Sequence, residues 1–158
     1  MLDRNTRKIF IFGIALLLVF CLNACSTSTS MSYTYIVDTG NTVKVTLDTT
    51  ESDYKIKPDE SNFILYNDEQ IIAQGCFTDI SGFEYYVSAA HADENVTVLE
   101  DTGNKVIYMY NDDEYSEYDL IMNLNNKTCV IIGSLLDDNI TQDIVKDVLS
   151  RLTFNITK

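Results

Sequence analysis

Residues 118–156 read YDLIMNLNNKTCVIIGSLLDDNITQDIVKDVLSRLTFNI, and the change of pattern inside this stretch decides the fold class. Tyr118 to Leu124 and Thr128 to Gly133 are apolar, β-favouring runs joined at Asn125-Asn126, which predicts an antiparallel hairpin. After the turn-rich Asp137-Asp138-Asn139 the period lengthens from two to that of a helix. Ile144, Val145, Val148, Leu149 and Leu152 form one apolar stripe, predicting a helix over about 141–151. Thr153 to Ile156 then fits a short closing edge strand.

Working outward, period two dominates the first half of the chain. Residues 33–37 and 42–48 alternate around Asp38-Thr39-Gly40-Asn41 and predict an opening hairpin. Residues 49–61 read as a loop with a short strand near Tyr54 to Lys57, and Phe63 to Tyr66 with Gln70 to Phe77 read as a second hairpin across Asn67-Asp68-Glu69. Phe83, Tyr86, Val87 and Ala90 lie at i, i+3, i+4 and i+7, which predicts a middle helix at about 82–91. Ser81 and Glu84 have the spacing of a capping box for it. Val96 to Glu100 and Lys105 to Tyr110 are two more strands about the turn Asp101-Thr102-Gly103-Asn104. A run of strands with helices at only two points belongs to the α+β class, a twisted antiparallel sheet covered by helices.

Taken together, the strand pair Tyr118 to Leu124 and Lys127 to Ser134, the helix through Leu152 and the short closing strand resemble the PsbP/Mog1-like fold, which small bacterial lipoproteins also use. That family often carries a Trp in its early hairpin, and this chain has none.

The amino terminus holds a second resemblance. Residues 1–8 (MLDRNTRK) carry three cations against one acid, and residues 9–22 (IFIFGIALLLVFCL) are fourteen essentially apolar positions. This is the charge and length pattern of an export signal, and it is shorter than the roughly 20 residues a spanning helix needs. Leu22-Asn23-Ala24-Cys25 follows at once and resembles the lipobox of bacterial lipoproteins. The resemblance implies cleavage after residue 24 and a diacylglyceryl group, with acyl chains such as palmitate, on Cys25. Two acyl chains suffice for stable anchoring where one does not. The expected organisation is therefore a lipoprotein signal peptide at 1–24, a Ser/Thr-rich tether at 25–32, and a single extracytoplasmic domain at 33–158 on the outer face of the bacterial cell membrane.

Composition narrows the partners. The chain has 158 residues, 11 basic and 24 acidic, for a net charge of −13. Loss of Asp3, Arg4, Arg7 and Lys8 with the signal makes the remainder more acidic still. Nucleic acid, whose binding depends on cationic side chains, is not an expected partner, and cationic ligands or an envelope protein are.

Chemistry has few candidates. There is no GxSxG, HExxH, phosphate-binding or dinucleotide-binding glycine pattern and no His/Cys metal spacing, so no catalytic residue, metal or cofactor is expected. His91, the only histidine, fits the carbonyl end of the middle helix. Asp112, Asp113, Glu114, Glu117 and Asp119 crowd one strand connection, readable as a solvated acidic loop or as a weak cation site. Two of Asp112, Asp113, Glu117 and Asp119 gathered in a cleft with perturbed titration would instead favour carboxylate hydrolysis. Cys76 and Cys129 lie in predicted strands, readable as a disulfide or as two buried thiols. Tyr108 and Tyr110 share a strand face, followed by Tyr115 and Tyr118, readable as sheet cover or as an aromatic recognition patch. Four N-x-T triplets begin at Asn95, Asn126, Asn139 and Asn155 and read as Asn-rich turns.

The leading expectation is a lipid-anchored, non-enzymatic extracytoplasmic binding or scaffolding domain. A carboxylate-dependent envelope hydrolase and a transporter-associated solute-binding lipoprotein are the alternatives, the last depending on a deep enclosed pocket. Cys25→Ala is expected to move the protein from the membrane pellet to the soluble fraction, as membrane fractionation followed by immunoblotting would read.

Overall fold

The structure is a computed structural model, and it describes residues 29–157. The export signal, the lipobox and Cys25 lie outside the described residues. Ten strands and two helices follow in chain order: β1 (Ser30–Ile36), β2 (Thr42–Asp48), β3 (Tyr54–Asp59), β4 (Asn62–Asn67), β5 (Gln70–Asp79), α1 (Ile80–Ala92), β6 (Val96–Asp101), β7 (Lys105–Asn111), β8 (Ser116–Asn123), β9 (Thr128–Leu136), α2 (Gln142–Ser150) and β10 (Leu152–Thr157). The α+β class and the antiparallel pairing follow the sequence reading. Among the described residues no helix is long and apolar enough to cross a membrane.

The strands divide into two sheets where the sequence reading anticipated one. Seven strands run in the order β3-β4-β5-β9-β8-β7-β6, and three form a separate sheet, β1-β2-β10. β10 is an edge strand as expected, but it returns to β2, with Phe154 opposite Val45 and Ile156 opposite Val43. β1 begins at Ser30, inside the stretch read as tether, because Ser30 pairs with Asp48 and Met31 with Leu47.

One core lies between the two sheets. Val43, Val45 and Leu47 of β2 pack with Ile56, Phe63, Leu65, Val130 and Ile132 of the larger sheet, and Val145 and Val148 of α2 close the same cluster. Tyr35, Phe63, Phe77 and Phe154 join the sheets, with ring centroids 5.4–6.3 Å apart in tilted pairs, a spacing that favours aromatic packing. Burial pushes the Tyr35 hydroxyl up to about 12. On the opposite face of the large sheet a smaller cluster forms under α1, where Phe83 packs with Ile121 and Cys129, flanked by Val87, Tyr108 and Ile131.

The start of α1 corrects the expected cap. Asp79, not Ser81, caps α1, its Oδ1 accepting the Gly82 N–H at 2.9 Å, so the capping box of Ser81 and Glu84 does not form. Asp137 folds the approach to α2, accepting the N–H groups of Asn139 and Ile140 at 2.7 and 2.6 Å, while Asp143 supplies the acidic charge in the first turn.

Gly75 sits opposite Phe63, and a Cβ there would overlap the Phe63 ring, which is fully buried and has no room to retreat. Gly75→Ala is expected to destabilise the domain by about 1–3 kcal/mol through overpacking, measurable as a lower urea midpoint with an unchanged m-value.

Candidate functional site

β8 lies third from one edge of the large sheet and is buried on both faces at Tyr118–Ile121, so its alternation sorts these side chains between two interiors. Tyr118 and Leu120 enter the core between the sheets, whereas Asp119 and Ile121 lie on the α1 face. Tyr118 is only 3% exposed, which removes it from the aromatic recognition patch. Across β7, Tyr108 stands opposite Asp119 and Tyr110 opposite Glu117. Across β9, Gly133 stands opposite Asp119. A Cβ at Gly133 would come within 2.8 Å of Asp119 Oδ1, so the glycine makes room for the carboxyl.

α1 spans only part of this face, and an open cleft of about 230 Å³ lies beside its C-terminal half. Tyr86, Ala89, Ala90 and Asp93 come from the helix side, Val96 from β6, Tyr108 and Tyr110 from β7, Tyr115 from the following turn, and Glu117 and Asp119 from β8. Two aromatic pairs brace its walls. Tyr110 and Tyr115 stack with centroids 5.3 Å apart, and Tyr85 meets Tyr86 edge-on at 5.4 Å.

Asp119 is the unusual group. It is 7% exposed, and among the described residues no Lys, Arg or His forms an ion pair with it or with Glu117. Burial, with the neighbouring Glu117 charge, pushes its carboxyl up to about 7, against a smaller opposing effect of the Tyr108 hydroxyl. Burial and the Asp119 charge in turn raise the Tyr108 hydroxyl. A half-buried carboxylate, a carboxyl balanced between its two forms and four tyrosines thus share one small cleft. Such a set can hold a cation through charge and ring faces, or can give and take a proton near neutral pH.

The five acidic residues of the β7–β8 connection do not act together. Asp112 is consumed by its own turn, Oδ1 accepting the N–H groups of Glu114 and Tyr115 at 2.8 and 2.9 Å and Oδ2 accepting the Tyr110 hydroxyl at 2.8 Å. These donors, the Tyr115 N–H first, hold its carboxyl below the usual range. Asp113 and Glu114 are exposed, and only Glu117 and Asp119 enter the cleft. Among the described residues no group of three or more His, Cys, Asp or Glu side chains is placed to hold a metal ion.

The remaining candidates lie elsewhere. His91 occupies the last turn of α1, its Nε2 3.0 Å from Asp101 Oδ2 on β6. Asp101, which also accepts the Gly103 N–H, is held below its ordinary value by that bond first and by His91 second. Cys76 and Cys129 are free thiols on adjacent strands. Cys76 stands opposite Ile131 and Cys129 opposite Thr78, which makes the two cysteines diagonal neighbours rather than a facing pair. Desolvation raises both thiols, Cys129 to about 11.

Tyr86, Asp93, Val96 and Gly133 were not anticipated as parts of one site. The helical spacing of Phe83, Tyr86, Val87 and Ala90 puts Tyr86 on the core-facing side, and the position of Gly133 opposite Asp119 depends on the β8–β9 register. The shared strand face of Tyr108 and Tyr110 was the signal closest to the site. Comparison with protein-family models, with curated proteins and with solved structures finds no match to this chain.

The direction of the Asp119 shift fixes its linkage to stability. The native carboxyl keeps its proton to about pH 7, whereas the unfolded chain releases it near 3.8. Its contribution is therefore complete below about pH 3.8 and is lost as pH rises through 7, a difference of up to about 4 kcal/mol. Asp119→Asn is expected to be more stable than the wild type at pH 8, with the gap narrowing toward pH 4, as paired urea denaturation series would show.

Proposed function

We propose that this protein is a lipid-anchored, extracytoplasmic binding domain that takes cation-bearing ligands in the cleft formed by Tyr86, Tyr108, Tyr110, Tyr115, Glu117 and Asp119. The observation that carries this reading is Asp119, a buried carboxyl that lines an aromatic cleft and has no cationic partner among the described residues. A buried acid in that position is neutral when protonated and needs a counter-charge when ionised. A ligand cation supplies that charge, and tyrosine faces add about 0.5–2 kcal/mol of cation–π attraction each time a ring lies within reach. The chain's net charge of −13 draws cations toward the surface and raises their rate of encounter.

The lipobox-like Leu22-Asn23-Ala24-Cys25 supports a diacylglyceryl anchor at Cys25 and a position on the outer face of a bacterial cell membrane. The antiparallel β8–β9 pair, followed by α2 and a short closing strand, supports assignment to the PsbP/Mog1-like fold. An envelope protein presenting a cationic group, or a free organic cation, fits the same cleft.

One observation favours a second reading, an envelope hydrolase using carboxylates. Glu117 and Asp119 share a cleft, and Asp119 titrates near neutrality. Alternate residues on a strand stand roughly 6–7 Å apart, close to the separation at which paired carboxylates cleave glycosidic bonds. The solute-capturing alternative depends on an enclosed pocket and gains no support from this cleft, which is open to solvent.

Tetramethylammonium titrated into the full mature chain, secreted without its acyl group as a Cys25→Ser variant, is expected to shift the ring resonances of the four cleft tyrosines with a Kd on the order of 1 mM. Glu117→Gln should weaken that binding several-fold. Equal shifts with acetate, or none with tetramethylammonium, would end the cation reading. Glycoside turnover abolished by Glu117→Gln would transfer the assignment to the hydrolase.

A further inference from the structure

A second open cleft, of about 560 Å³, adjoins the first, and Glu117 belongs to the walls of both. Its lining is of another kind. Ile71 and Leu135, 43% and 60% exposed, present aliphatic side chains there, with Gly133 and Ile140 nearby. Isolated exposed aliphatics are ordinary, but these two share one recess beside an acidic wall.

The shelf is a product of the backbone. A register shift in the β4–β5 ladder between Leu65 and Tyr66 places Ala73 opposite Leu65 and Ile71 opposite Tyr66, leaving Ile72 as the extra residue. Ile72 turns into the core, 2% exposed, and Ile71 is left at the surface on the other side. The Ser134 hydroxyl of β9 donates to the Ile72 carbonyl, which pins the bulge in place. Bulges of this kind re-aim a side chain and recur beside binding sites. Gly133, without a side chain, keeps the sheet surface low between Leu135 and Asp119.

A tyrosine-lined acidic subsite and a mainly aliphatic one, bordered also by Gln74 and Asp137, therefore meet along a shared wall. An inorganic cation would use only the first, and a neutral aliphatic molecule only the second. We propose that the cleft takes an organic ammonium bearing an aliphatic chain, its head among the tyrosines with Glu117 and Asp119, its chain along Ile71 and Leu135. This inference rests on the cation-binding reading above and adds the class of ligand.

The test compares hexyltrimethylammonium, tetramethylammonium and hexanol by calorimetric titration into the full mature chain bearing Cys25→Ser. Hexyltrimethylammonium is expected to bind at least tenfold more tightly than tetramethylammonium, and hexanol is expected not to displace it. Ile71→Asn and Leu135→Asn, both at exposed positions that tolerate polar side chains, should bring the ratio of the two ammonium affinities toward one. Tetramethylammonium binding without any advantage for the hexyl compound would overturn this proposal while leaving the cation reading intact. Binding of hexanol as tight as that of hexyltrimethylammonium would overturn it as well, and binding of neither ammonium would remove both.

Discussion

Along Tyr118–Ile121 and Cys129–Ile132 both faces of the central β8–β9 pair are covered, and each side chain there must fit one of two interiors. Period two then leaves no neutral choice, because a residue displaced from one interior enters the other. Tyr118, Leu120, Val130 and Ile132 fill the space shared with the small sheet, and Ile121, Cys129 and Ile131 fill the space under α1. Asp119 lies between Tyr118 and Leu120 in sequence and is carried into the α1 side by the same alternation. Its burial is a consequence of register, and the cleft follows from it. Gly133 widens the place, Tyr108 faces it across β7, and the partial span of α1 leaves it open.

The arrangement sets stability against the proposed cation binding. The aromatic group of Tyr35, Phe63, Phe77 and Phe154 ties the sheets together, and it lies on the far side of the large sheet from the cleft. The core that holds the scaffold is thus separated by one layer of backbone from the group that weakens it above neutral pH. A buried acid without a counter-ion serves packing less well than an asparagine or an aliphatic residue would. Retaining it costs stability where a ligand charge would offset the loss.

Local pattern made most elements legible, and the reasons for the failures are physical. The ten strands and two helices lie close to where alternation and the 3.6 period place them, because each buries a face whose spacing is written in consecutive residues. The partition into two sheets was not legible. β10 pairs with β2 across more than one hundred residues, and nothing within TFNI distinguishes that partner from β9. The α1 cap was misread because Ser81 and Glu84 have the right spacing while Asp79 has the right backbone, extended at ψ −178°. The acidic connection was legible as composition only. Counting charges pooled Asp112 with Asp119, although one accepts hydrogen bonds within an exposed turn and the other is buried on a strand. Tyr108 and Tyr110 could be placed on one face from spacing alone, but Tyr86 and Gly133 join them through tertiary register.

The start of β1 bears on how the molecule would carry mechanical load. The described chain enters the fold at Thr29, whose N–H donates to Thr50 Oγ1 and whose hydroxyl accepts from Thr49, and Ser30 at once pairs with Asp48. Were the protein held at Cys25 as proposed, tension would enter β1 at Ser30 and leave β2 at Asp48, the adjacent ends of one hairpin. Force in that geometry unzips a ladder pair by pair instead of shearing all its bonds together. The edge strand β1 would then act as a mechanical fuse, peeling first under drag while β2, held on its other side by β10, and the cleft-bearing sheet keep their shape.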